Sequence, residues 1–298
     1  MKVFVKVPAT SANLGPGFDA LGLALDLWNE TEFTAAEKFS LRIEGEGVDR
    51  LAPNAKNLVV RSMRRVYESA GEKMRGVNIH CMNRIPLASG LGSSAAAIIT
   101  GLLGANAMMN NALSNTDILN LATEIEGHPD NVAPALLGGL VATVVNEGKI
   151  IARKLDVAGC AITIVLPDFH FTTKQARAAL PKHVPMKDAV HNISRAVLVT
   201  EAFRTGDLDL LGKVMEDALH QPYRLPLIPG AQEAMEAAKE AGASAVALSG
   251  AGPSLIAFSS KQDASIGEAM KRAFESAGCA ARIFELGTSY KGAEVHIV

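Results

Sequence analysis

The chain has 298 residues, 29 basic against 31 acidic, and three scattered cysteines, Cys81, Cys160 and Cys279, with no C-x-x-C pair. That length suits one large domain or two ordinary ones, and the near-neutral balance offers no basic field for nucleic acid. The cysteines argue against a disulfide framework or zinc cluster and fit a reducing cytosol, and the longest charge-free apolar stretch, Ala95 to Met109, is too short to cross a bilayer.

Met1 to Val7 alternates like a strand and does not read as a signal peptide, so a cytoplasmic globular protein without membrane or nucleic-acid partners is expected. Further strands are predicted at Leu21 to Trp28 and Leu41 to Glu44. Asn57 to Ala70 predicts a helix with Leu58, Val59, Met63, Val66 and Tyr67 on one face. A strand at Val77 to Met82 precedes a glycine-rich loop. Two helices follow, Ser93 to Met109 and Thr116 to Glu126, the second with Ser114 and Asn115 as caps. Leu140 to Val145 and Ile150 to Leu155 read as a hairpin around Glu147-Gly148. The second half opens with a strand at Ala161 to Leu166. Helices are then predicted over Thr173 to Leu180, Asp188 to Arg204, Leu208 to Leu219 and Gly230 to Ala241. Strands Val246 to Ser249 and Leu255 to Phe258 flank a turn at Gly250-Ala251-Gly252-Pro253. A helix at Ala264 to Ala277 and a strand at Ala281 to Phe284 close the pattern. Interleaved strands and helices predict an α+β chain in two lobes, with the site in the cleft between them.

Pro86 to Ala97 reads Pro-Leu-Ala-Ser-Gly-Leu-Gly-Ser-Ser-Ala-Ala-Ala. Glycines and serines before a helix suit a turn whose bare N–H groups converge on an anion, helped by the helix dipole. A P-loop is excluded because no lysine lies in the segment. Gly90, Gly92 and Ala95 satisfy the dinucleotide fingerprint in form. Arg84 to Ser89, however, separate Gly90 from the preceding strand, and the nearest acid, Asp117, lies in a polar stretch.

The loop instead resembles the ATP-binding motif of the GHMP kinases, which wraps nucleotide phosphates without a Walker lysine. Two more segments carry the same resemblance in the family's order. Pro8-Ala9-Thr10-Ser11-Ala12-Asn13-Leu14-Gly15-Pro16-Gly17-Phe18-Asp19 is similar to the first motif, in the form found in the homoserine-phosphorylating branch. Leu248-Ser249-Gly250-Ala251-Gly252-Pro253-Ser254 is similar to the third. Glu124 to Pro134, with Gly127-His128-Pro129-Asp130-Asn131 at its centre, points to that same branch.

The resemblance implies a two-lobed α+β GHMP kinase fold. Residues 1–157 would form an N-terminal ribosomal-protein-S5-like domain and residues 158–298 a C-terminal ferredoxin-like α/β-plait domain. It implies ATP and Mg²⁺, with L-homoserine as phosphoryl acceptor, and a homodimer. Pro86, Leu87, Ala88, Ser89, Gly90, Leu91, Gly92, Ser93, Ser94, Ala95 and Ala96 would hold the nucleotide, and Asn57 would contact adenine. An upstream glutamate and a loop serine hold the metal in the family; spacing favours Glu124, with Glu126 as the alternative, and Ser94 is taken over Ser93. A zwitterionic acceptor needs a cationic fork for its carboxylate and an acid or amide for its ammonium. Arg177 and Arg224 form the expected fork, with Asp19, His128, Thr173 and Gly252 also on the substrate. Asn13, Asp130 and Asn131 are expected at the reacting hydroxyl, Asp130 being the first candidate for any general base.

Each residue also has an ordinary explanation. Glu124 and Glu126 could be solvated acids at a helix end, His128 a loop histidine, the arginines surface residues, and Asn57 a helix cap. A kinase for another small alcohol such as mevalonate, or a non-catalytic ligand-binding relative, are the competing functions.

Overall fold

A computed structural model describes residues 1–298. The chain runs β1 (Lys2–Ala12), β2 (Leu21–Ala35), β3 (Ser40–Gly45), α1 (Leu58–Ser69), β4 (Val77–Asn83), α2 (Ser93–Met108), α3 (Asn115–Glu126), α4 (Pro129–Leu137), β5 (Leu140–Asn146) and β6 (Lys149–Leu155). It continues with β7 (Ala161–Pro167), α5 (Thr173–Ala178), α6 (Met186–Thr205), α7 (Leu208–Val214), α8 (Gln221–Arg224), a 3₁₀ turn (Leu225–Leu227), α9 (Ala231–Glu240), β8 (Ala245–Leu248), β9 (Leu255–Ser259), α10 (Ala264–Ser276), β10 (Ala281–Leu286) and β11 (Glu294–Ile297).

The larger sheet has seven strands in the order β11-β1-β2-β4-β3, with β5 pairing the start of β2 and β6 pairing β5. In the first half of β1, Val3, Val5 and Val7 are buried while Lys2, Phe4 and Lys6 are not, as one covered face requires. From Val7 onward every residue is buried, because this half of the strand runs through the interior towards the site. The register with β2 shifts at Pro8/Ala9, where proline has no N–H to give the ladder. Helix α2 carries no charge and is buried almost throughout, the central rod of the first lobe.

The smaller sheet, β10-β7-β9-β8, is antiparallel throughout. With its helices it follows the β-α-β-β-α-β order of an α/β plait. Both of its faces are covered, which is why β8 and β9 read as unbroken apolar runs. One face joins the main core through Ile162, Ile164, Phe203 and Phe258; the other packs Val246, Leu255, Ala234 and Phe274 into a second cluster.

Three elements differ from expectation. Helix α4 occupies a segment for which no element was predicted; Pro129 begins it, at a position where the missing N–H costs nothing. Helix α7 ends at Val214 and not at Leu219, because the buried Asp217 carboxylate draws the N–H groups of Leu219, His220 and Gln221 out of the helical ladder. The last strand, β11, belongs to the first lobe: Val3 to Lys6 pair with Ile297 to Glu294, so the division at 157/158 leaves out a closing strand that returns across it.

Candidate active site

The three glycine-bearing segments interlock at the lobe junction. Thr10 N donates to Leu91 O, Gly250 N to Ala12 O and Ser254 N to Ser89 O. The Ser249 hydroxyl donates to Gly90 O at 2.8 Å and lies 2.9 Å from the Ser11 hydroxyl. Two glycines are required by this closeness. A Cβ on Gly90 would lie 2.2 Å from Ser249 O, and one on Gly92 would lie 1.9 Å from Thr10 Oγ1. Both also have positive φ, +80° and +68°.

Gly92 is the N-cap of α2 and offers no side-chain acceptor. The first N–H groups of α2, from Ser93, Ser94 and Ala95, therefore remain free for an anion at the positive end of the dipole. Pro86, Leu87 and Ala88 form the outer arm of the loop, which Ser89 braces by donating to Pro86 O at 2.8 Å and accepting from Leu91 N. Leu91, Ala95 and Ala96 are fully buried and anchor the loop to the core. The cleft above has a volume of about 560 Å³ and runs from Ile43, Leu51 and Cys81 past the loop to Arg177 and Arg224. Asn57 borders it, but its carboxamide is turned to its own loop. Its oxygen caps α1 at Val59 N and its nitrogen donates to Ala52 O, the work of a helix cap.

The two glutamates separate. Glu124 is 62% exposed and pairs with Arg65 at 2.9 Å, outside the cleft. Glu126 faces into it and accepts from the Ser94 hydroxyl at 2.6 Å. Residues two apart on a helix point about 200° away from each other, so only one could face the phosphate loop. Burial pushes the Glu126 carboxyl up, against the opposing pull of Ser94 and His128. Ser93 also lines the cleft, but it is the Ser94 hydroxyl that meets the carboxylate.

His128, Asp130 and Asn131 stand around the start of α4. His128 Nδ1 lies 2.7 Å from Asp130 Oδ1, and Asn131 Oδ1 accepts from Thr10 Oγ1 at 2.8 Å. Burial alone would lower the His128 imidazole; the hydrogen bond and charge of Asp130, with Glu126, outweigh it and hold the ring above its ordinary value.

Across the cleft, Arg177 grips Asp19 with two parallel hydrogen bonds, 2.8 and 3.1 Å. Asn13 fixes the loop that carries Asp19, accepting from Asp19 N at 3.0 Å and donating to Gly250 O at 2.7 Å. Thr173 begins α5 beside Arg177, and Gly252 lies on the facing turn. Arg224 is 2% exposed, and burial lowers its pKa from the ordinary arginine value. Lysine cannot reproduce a two-pronged grip. Arg177→Lys is therefore expected to raise the acceptor KM by about tenfold, one charge-assisted hydrogen bond's worth, with ATP KM unchanged; steady-state kinetics check it.

Sequence reasoning passed over the residues behind Arg224. Phe18 contacts both guanidinium groups, with centroid distances of 5.2 Å to Arg224 and 5.9 Å to Arg177, and its ring stacks on His220 at 5.2 Å. His220, Asp217 and Asn192 form a buried network below. The only trace of it in the sequence is His220-Gln221 directly before Pro222-Tyr223-Arg224. Burial lowers the His220 pKa, with Arg224 adding to this and Asp217 opposing it. The unfolded chain thus binds this proton more readily than the folded one, and stability falls as pH drops through about 6.5. His220→Asn is expected to flatten that part of the slope, read as urea midpoints between about pH 7 and pH 5.5.

The model of the GHMP kinases N terminal domain matches residues 57–139, and that of the GHMP kinases C terminal matches residues 199–278. The chain belongs to the GHMP kinase family. Among curated relatives it is 46% identical to the homoserine kinase of Moorella thermoacetica, over 98% of this chain and 99% of that one. It is 42% identical to that of Carboxydothermus hydrogenoformans, over 98% and 96%. The solved homoserine kinase of Cytophaga hutchinsonii superposes with a TM-score of 0.88 at 34% identity, covering 99% of this chain and 97% of that one.

Proposed function

We propose that the protein transfers the γ-phosphoryl group of ATP to the side-chain hydroxyl of L-homoserine, giving O-phospho-L-homoserine, a step of threonine biosynthesis. One observation carries this reading: a single cleft joins an uncapped helix start in a glycine loop to two arginines and an aspartate. Asp19 and Arg177 pair with each other. A zwitterion replaces that pair without stranding either charge, its carboxylate going to Arg177 and Arg224 and its ammonium to Asp19. A hydroxy acid such as mevalonate brings only the carboxylate and would leave Asp19 unpaired, which selects against it.

The phosphates of ATP lie on the free N–H groups of Ser93, Ser94 and Ala95, with the loop from Pro86 to Gly92 wrapped round them. The residues beside them fit Mg²⁺: Ser94 and Glu126 offer hard oxygen donors within hydrogen-bond reach of each other. No three His, Cys, Asp or Glu side chains converge as a protein-only cage, and a nucleotide-bound Mg²⁺ takes its remaining ligands from phosphate and water. When bound there, the ion neutralises phosphate charge that a lysine-free loop leaves uncovered. Asn13, Asp130 and Asn131 line the same cleft as the loop and the arginines and are the side chains assigned to the hydroxyl. Phosphoryl transfer then rests on alignment and charge stabilisation, and Asp130, braced by His128, is the carboxylate nearest to the role of proton acceptor.

A coupled ADP-release assay tests the proposal with L-homoserine, mevalonate and a panel of sugars. L-homoserine is expected to give the highest kcat/KM; a faster reaction with mevalonate or a sugar overturns it.

A further inference from the structure

Arg224 carries five N–H donors. Nε–H donates to Ala176 O at 3.3 Å, and Nη1 reaches Gly250 O at 3.4 Å and His220 Nδ1 at 3.3 Å. The remaining nitrogen, Nη2, is the one left to face an acceptor's carboxylate. Two of the three tethers are main-chain carbonyls. The third is a side chain that lies wholly inside the protein, with no exposed surface.

The hydrogen bonds settle the tautomer of that side chain. His220 Nε2 lies 2.9 Å from Gly15 O, which can only accept, so Nε2 carries the proton. Arg224 Nη1 can only donate, so Nδ1 presents its lone pair. The ring must be neutral to serve both. Its ordering comes from behind. Asp217 accepts from the N–H groups of Leu219, His220 and Gln221 at 3.1, 2.8 and 2.6 Å, and from Asn192 Nδ2 at 2.7 Å. Asn192 closes the network by accepting from Ala218 N at 2.8 Å and donating to Pro16 O at 3.2 Å. The ring's face lies against Phe18, which also touches Arg224.

We infer that His220 is a positioning residue for acceptor recognition: its Nδ1 lone pair aims the Arg224 guanidinium at the carboxylate, and the Asp217–Asn192 pair holds His220 in place. The inference rests on the reading of Arg224 as a carboxylate ligand. It assigns a specific task to a side chain that touches no substrate. A guanidinium with one tether removed swings about the other two, and an Nη2 out of line loses much of its charge-assisted hydrogen bond.

Three substitutions separate this task from simple packing. His220→Phe keeps the ring and its contact with Phe18 but removes both nitrogens. His220→Asn keeps an acceptor near the Nδ1 position; His220→Gln keeps a donor near Nε2. His220→Phe is expected to raise the L-homoserine KM by about tenfold or more, with ATP KM and kcat changed by less than about threefold. His220→Asn is expected to recover most of that loss, and His220→Gln little of it. With the amino diol in which CH₂OH replaces the carboxylate, wild type and His220→Phe should turn over with equal kcat/KM. Recovery by His220→Gln and not by His220→Asn would mean that the Gly15 tether matters and would overturn the inference. So would an equal penalty on the amino diol, or a rise in ATP KM as large as that for homoserine. Should His220→Phe not fold, the Asn and Gln variants decide the matter between them. Failure of the functional reading shows separately, as wild-type enzyme that does not release ADP with L-homoserine.

Discussion

Glu126→Gln is expected to lower kcat by about a thousandfold, reflecting the several kcal/mol that metal-assisted charge stabilisation contributes to phosphoryl transfer. Glu124→Ala is expected to leave turnover within about twofold, since an exposed ion pair is worth little. The contrast follows from direction. Glu126 meets the Ser94 hydroxyl at the phosphate loop, while Glu124 turns outward to Arg65. Glutamine preserves the hydrogen bond from Ser94 but supplies no charge for a cation, so the fold should survive while the Mg²⁺ concentration needed for half-maximal rate rises. Kinetics with Mg²⁺ titrated at saturating ATP read both effects. A silent Glu126→Gln beside a dead Glu124→Ala would return the metal to Glu124.

The second large effect concerns the loop's backbone. Gly90→Ala sets a methyl group 2.2 Å from Ser249 O, an oxygen already held by Gly252 N at 2.9 Å in the opposite lobe. Main-chain atoms on both sides leave no flexible group to yield, so the lobes themselves must part. To that is added the cost of about 1–2 kcal/mol for a left-handed alanine. Gly127→Ala provides the control. Its φ is also positive, +94°, but nothing lies within 4 Å of the added methyl group, so only the backbone strain remains. Gly127→Ala should therefore lower Tm by no more than about 4 °C, and Gly90→Ala by about twice that or more. Gly90→Ala should also raise ATP KM by at least about tenfold. Scanning calorimetry and ATP kinetics on both variants check the pair; equal shifts would show that the contact with Ser249 is relaxed at no cost.

How much of this could be read beforehand depended on whether the cause was local. The glycine loop was legible because positive φ and bare N–H groups demand particular residue types in a short span. The fork rested on the resemblance of Thr172 to Arg177 and Pro222 to Gly230 to family segments, because the charge of an arginine alone does not set it apart from a surface residue. Which of Glu124 and Glu126 faces the loop was legible too, though spacing favoured Glu124 and left Glu126 as the alternative. Ile118 and Ala122 mark the buried face of α3, and one more step of four residues reaches Glu126, not Glu124. Helix α4 was hidden because Pro129-Asp130-Asn131 and Pro134 have the composition of a loop, although proline and an acid both suit a helix's first turn. The end of α7, the tether on Arg224 and the pairing of β11 with β1 could not be read at all. Each depends on a partner far along the chain: Asn192 for Asp217, Gly15 for His220, and Val3 to Lys6 for the final strand.

The return of β11 has a mechanical consequence. A lobe joined to its neighbour by one linker moves as on a ball joint, free to tilt and twist in any direction. Here the polypeptide passes between lobes twice, through 155–161 going out and 286–294 coming back. The two passages run side by side, with Gly159 close to the Tyr290 hydroxyl, and the returning segment is pinned to β2 by the Leu25–Thr288 bridge. Paired attachments leave the seam between the lobes little freedom to twist, and the main core runs across it through Ile162, Ile164, Phe203 and Phe258. Opening along it must break Ser249–Gly90, Gly250–Ala12 and Ser254–Ser89 together, because all three bonds span the same seam. The loop from Pro86 to Ala97 is thus also part of the fastening that holds the two lobes together.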